Sequence, residues 1–150
     1  MDSLKTLGDK ELLLRTLELA AKTRQATVEL LRHMREVERR QLHLTLGHSS
    51  MYDYVIKELK YSEGGAYRRI QAMRLLRDVP EAAQKIEEGT LTICTAAKVQ
   101  TASGKSPGED KGKILASVEG KTTREAEREL AKLDPRGPRE FTRWLNSNEV

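Results

Sequence analysis

The sequence predicts an all-α, multi-helix protein with a long N-terminal helix and a central pair of shorter helices joined by a tight turn. Three observations carry that reading. Leu, Ala, Glu, Lys and Arg dominate, while aromatic residues make up only 4% of the 150, which favours helices over the Val/Ile/Tyr-rich pattern of strands. Apolar residues recur at steps of three and four, the period of a helix face. Between those stretches, Ser, Thr or Asp repeatedly stands three residues ahead of an acidic side chain, the spacing of helix starts.

The first element runs from Asp9 to about Gln41 without proline or glycine, and Leu13, Leu17, Ala20, Ala21, Val28, Leu31, Met34 and Val37 form its apolar stripe. Asp9 is placed to cap its start, Arg39 and Arg40 suit the negative pole at its end, and Gly47 breaks the chain beyond it. Roughly 30 helical residues span about 45 Å, longer than a small core covers. Part of the stripe is therefore expected to meet a second subunit or another domain, the alternative being a helix that lies across its own domain. A homodimer is expected, dissociated by charges placed at Leu31 and Met34.

Later helix starts are expected where Ser50 stands with Asp53, Asp78 with Glu81, Ser106 with Glu109, and Thr122 with Glu125. Pro80 and Pro107 fall in first turns, where a missing N–H is harmless, and Gly89-Thr90 ends one helix and caps the next. The expected helices are 50–59, 62–77, 80–88, 91–101, 109–118 and 122–133. Three regions follow: 1–48, the long helix and candidate dimerisation element; 49–133, a helical domain; and 134–150, a tail that begins at Asp134-Pro-Arg-Gly-Pro138 and contains Phe141 and Trp144.

With 27 basic and 23 acidic side chains the net charge is +4. That mild bias suits a polyanionic partner only through a local cluster. Cys94 is the single cysteine, which excludes an intrachain disulfide framework and, with three scattered histidines, leaves no zinc set. No cofactor and no metal are expected. The N-terminus has no apolar signal core, and no run approaches the roughly 18 apolar residues of a membrane span, so a cytoplasmic protein with no membrane partner is expected.

The stretch 50–77 has the parts of a helix-turn-helix: a first helix over SMYDYVIKEL, a turn at Lys60-Tyr61, and Ser62 as N-cap of the second helix. At 100° per residue Ala66, Ile70 and Met73 form one apolar stripe, with Gly64, Tyr67, Arg68 and Gln71 opposite and Arg74 beside them. Such a face suits the DNA major groove. Arg68 has the reach for guanine O6 and N7, Gln71 for adenine N6 and N7, and Arg69, Arg74 and Arg77 for phosphates. Gly64 and Gly65 let a backbone approach, and Ser62 with the adjacent N–H groups can hold a phosphate at the helix start. The plain alternative is an amphipathic helix with a solvated face.

Other candidates point away from catalysis. His33, His43 and His48 are expected at the surface without carboxylate or thiol partners, Cys94 as a small core residue, and Glu87 and Glu88 as solvated side chains that point apart on a helix. No metal constellation and no phosphate-cradling glycine loop is present, so no enzymatic activity is expected.

The run from Tyr54 to Val99 resembles the helix-turn-helix region of ParB-type chromosome-partition proteins. The resemblance rests on Glu58-Leu59, the Ser62-initiated helix closing on Arg74-Leu75-Leu76, Val79-Pro80, and Ile86-Glu87-Glu88-Gly89-Thr90-Leu91-Thr92, with Thr123-Arg124-Glu125-Ala126-Glu127 beyond. It implies that residues 62–74 enter the major groove. Lys60 stands where that family has a turn glycine, Thr95-Ala96-Ala97 where it has His-Ala-Arg, and its arginine-rich nucleotide box is absent, so no CTP switch is implied. Residues 7–133 also resemble the helical region ahead of the nuclease module in bacterial HNH endonuclease-like proteins. That resemblance is carried by Ser49-Ser50-Met51-Tyr52-Asp53-Tyr54 and Tyr61-Ser62-Glu63-Gly64-Gly65-Ala66-Tyr67-Arg68-Arg69-Ile70-Gln71-Ala72. Nothing after Leu133 supplies an HNH unit. The expected function is double-stranded DNA binding without catalysis; the alternative is a helical interaction module working with a partner protein such as a nuclease.

Overall fold

The computed structural model describes residues 4–104 and 106–133. Helices α1 (Asp9–Arg39), α2 (Leu42–Thr45), α3 (Met51–Lys57), α4 (Glu63–Asp78), α5 (Ala82–Glu88), α6 (Ile93–Ser103), α7 (Gly108–Val118) and α8 (Thr123–Leu133) follow in order, with no strand among these residues. The all-α expectation holds. Phe141, Trp144 and the rest of 134–150 lie outside the described residues.

The caps explain most boundaries. Ser50 accepts from the N–H of Asp53 at 3.0 Å, Ser62 from Gly65 at 3.1 Å, Thr92 from Thr95 at 3.1 Å and Thr122 from Glu125 at 3.2 Å, each satisfying a donor that the helix itself leaves free. Four expected caps are absent. Thr90 instead donates from its hydroxyl to the Lys85 carbonyl, and Thr92 caps α6 in its place. Asp78 ends α4 with its carboxylate bound to Arg77 and Lys111, so α5 begins later, behind Glu81. Ser106 is displaced by Pro107, which occupies the cap position of α7 without a side-chain bond. Gly8, not Asp9, precedes α1, and Asp9 and Glu11 instead lie in its first turn beside the positive pole. Gln41, at φ 56, turns the chain into the one-turn α2, an element with no signal in the sequence.

Helix α4 is central: it packs chiefly against α6 and also against α1, α3 and α5. Its Ala66, Ile70, Met73, Leu75 and Leu76 join Val28, Leu31 and Met34 of α1, Val55 of α3, Ile86 of α5, Val99 of α6, Leu115 of α7 and Ala126 of α8 in one core. Cys94 is half-buried. Only the C-terminal half of α1 takes part, and residues 9–20 are all exposed. Arg24 marks the edge, donating from Nε to the Glu87 carbonyl at 3.0 Å. It thereby ties α1 to the carbonyl end of α5, which a cation favours. Leu31 and Met34 are each 1% exposed, so the expectation that charges there would separate a dimer is corrected. The chain's own α4 and α5 cover that part of the stripe.

At the far end of α4 a polar lock closes on α7. Lys111 is buried, and its Nζ donates to Asp78 Oδ2 at 2.6 Å and Gln100 Oε1 at 3.2 Å. A Cβ on Gly108 would lie 2.5 Å from the Asp78 carbonyl oxygen, so the two helix ends meet with room for a hydrogen only.

Candidate nucleic-acid interface

The turn between α3 and α4 is built from the backbone. Glu58 N–H donates to the Tyr54 carbonyl at 2.8 Å and Tyr61 N–H to that of Val55 at 3.3 Å. Between them Lys60 adopts φ 65, the left-handed region, which suits glycine and strains a residue with a Cβ. Relief of about 1–2 kcal/mol of strain outweighs the roughly 0.5–1 kcal/mol of extra chain freedom that glycine loses on folding. Lys60→Gly is therefore expected to raise the melting temperature by about 2–4 °C in a thermal melt; a fall would contradict this turn geometry.

Beneath the turn, Arg69 lies over the Tyr61 ring, 3.9 Å from its centroid, and donates from Nη1 to the Gly65 carbonyl at 3.1 Å. Its Nε is buried without a hydrogen-bond partner. A Cβ on Gly65 would come within 3.1 Å of Ser62 Oγ and 3.2 Å of Arg69 Nη1, which accounts for glycine there. Arg69 is thus engaged in holding the turn.

The remaining expected residues fall into two groups. Tyr67 is 6% exposed, and its hydroxyl meets Thr101 Oγ1 at 2.6 Å, so it joins α4 to α6 and only edges the recess that Gln71 and Arg74 line. The cause is the central place of α4: neighbours on several sides leave no single solvent half. Arg74 reaches Glu38 of α1 at 3.8 Å, and Arg77 is bound to Asp78 at 3.0 Å. Ser62 is exposed, Gly64, Arg68 and Gln71 are half-exposed, and Arg68 and Gln71 make no hydrogen bond or ion pair among the described residues. Gly64, Arg68 and Gln71 lie within about 60° of one another on the helix wheel, a strip narrower than the sequence suggested. Gln71 and Arg74 also line a recess of about 170 Å³ between α1, α3 and α4, with Glu38, Ser50 and Met51 on its other walls.

Two histidines depart from the surface reading. His48 places Nδ1 3.2 Å from Asp53 Oδ2 and Nε2 3.0 Å from Glu58 Oε1, with its ring edge-on to Tyr54. It clamps the two ends of α3. Hydrogen bonds from Lys57 and then His48 hold the Asp53 carboxyl below its ordinary value against partial burial. These partners lie 5 and 10 residues along the chain, spacings that only the bend before α3 brings together. His43 is buried, with Nδ1 lacking a hydrogen bond, whereas His33 is exposed and bonded to the Glu29 carbonyl. Among the described residues there is no metal-holding group of three His, Cys, Asp or Glu side chains, and no helix long and apolar enough to cross a membrane. Compared with protein-family models, with curated proteins and with solved structures, the chain finds no match.

Proposed function

We propose that the chain binds double-stranded DNA without catalysis, α3 and α4 acting as a helix-turn-helix. The observation that carries this reading is the pair Arg68 and Gln71. Both are half-exposed on one narrow strip of α4, and neither is committed to any neighbour among the described residues. A free guanidinium and a free amide one turn apart have the donor and acceptor sets that read guanine and adenine edges in the major groove. Gly64 precedes them on the same strip, and Ser62 is exposed at the helix start, where a phosphate oxygen meets N–H groups and the positive helix pole. Arg74, on a long pair with Glu38, can exchange that carboxylate for a phosphate. Tyr67, bonded to Thr101, and Arg69, stacked on Tyr61, hold the helix that carries the strip.

The roles separate experimentally. Arg68→Ala is expected to weaken binding to a selected duplex by about 1–3 kcal/mol and to relax preference at one base pair, while Arg74→Ala weakens all duplexes alike and lowers the salt slope by about one ion. Fluorescence polarisation on a randomised duplex panel makes the comparison. If both folded variants bind as the unaltered chain does, α4 is a solvated face and the reading fails.

A further inference from the structure

We propose that two copies of the chain pair through the N-terminal half of α1, each half lying antiparallel against the same half of the other. This pairing stands apart from the DNA reading. Leu13, Leu17 and Ala20 continue the line of Val28 and Leu31 along α1, but from Arg24 towards the N-terminus that line is left uncovered among the described residues. Leu13 is 66% exposed and Leu17 68%, with Leu12 and Leu14 exposed about a quarter turn to either side. A contiguous apolar surface of this kind marks an interaction site.

The occupant follows from charge and from shape. Residues 9–23 hold three acidic and three basic side chains, so two copies of this arm do not repel each other. A lipid surface would call for a Lys/Arg-rich polar face instead. Glu11, Arg15, Glu18 and Lys22 gather on the side opposite the stripe, where Arg15 pairs with Glu11 at 2.8 Å. Pairing stripe to stripe thus leaves these four charges in water, while Asp9 and Lys10 fall at the outer end of the contact. A parallel pair is excluded sterically, because α4 and α5 sit on the stripe side of each α1 beyond Arg24 and the two bodies would claim one space. An antiparallel pair puts the bodies at opposite ends, with a two-fold axis near residue 16 and each free arm, roughly 22 Å long, matched to the other. With Leu4 and Leu7 reaching towards the partner's α5, the contact buries on the order of 1,000 Å², the low end for specific pairs.

Sedimentation of the full chain at tens of micromolar tests this. The expected mass is twice 17.0 kDa, unchanged in high salt because the contact is apolar. Leu13→Glu with Leu17→Glu weakens association about tenfold or more while the far-ultraviolet spectrum of the dilute protein stays the same, since both positions are exposed in the single chain. In a Cys94→Ser background, Leu17→Cys oxidises to a linked dimer and Asp9→Cys does not. A monomer at those concentrations, an undiminished dimer in the double variant, or cross-linking at Asp9→Cys as ready as at Leu17→Cys would overturn the proposal.

Discussion

Replacing Asp78 with Ala is expected to cost about 3 kcal/mol of stability, because removing one partner of a buried ion pair leaves the other charge uncompensated. The exposed partner in such a pair loses little, but Lys111 is only 3% exposed and would keep just the Gln100 oxygen. Hydrogen bonds from Arg77 and then Lys111 hold the Asp78 carboxyl below its ordinary value, against burial that would raise it. A depressed carboxyl stabilises the fold fully above the unfolded pKa of about 3.9, and that contribution disappears as pH falls through the lower folded value. Urea titrations of the unaltered chain and Asp78→Ala should therefore differ by the full amount at neutral pH and converge in acid. A constant gap across pH would show that lost packing, not the ion pair, is responsible. Adding Lys111→Met to Asp78→Ala should recover much of the loss, since apolar replacement of both partners removes the buried charge.

Leu31→Ala is expected to cost about 2–5 kcal/mol, the range for leucine truncation in a close-packed core, and Leu31→Glu to leave the chain largely unfolded because it also buries a charge. Leu13→Glu, a change of the same chemistry on the same stripe, should leave the fold of the dilute chain intact. Circular dichroism melts separate the two. Equal melting temperatures would mean that α1 does not pack as described, for the contrast rests on Leu31 at 1% and Leu13 at 66% exposure.

Features decided within four residues were legible in the sequence. The caps at Ser50, Ser62 and Thr122, the left-handed Gly89 that ends α5, and the long run of α1 all follow from local hydrogen bonding and periodicity. Features decided by tertiary neighbours were not. Asp78 matched a cap pattern, but its carboxylate was claimed by Lys111, 33 residues away. Periodicity placed Leu13 and Leu31 on one stripe without indicating that α4 and α5 stop near Arg24. Tyr67 projected onto an open face because the wheel assumes a helix with one buried side, whereas α4 is contacted from several. Arg68 and Gln71 are half-exposed on α4, while Arg69 is held by Tyr61. An aromatic eight residues before an arginine, across a turn, is too common a pattern to signal that stack.

The salt dependence of duplex binding tests the central proposal most directly. Polarisation of a labelled duplex, with single-stranded DNA and RNA of the same sequence alongside, should show the duplex bound most tightly. Each phosphate neutralised should contribute a slope of about −0.9 in log affinity against log salt. Affinity without salt dependence, or no preference for duplex over the single strands, would contradict a helix-turn-helix seated in the major groove.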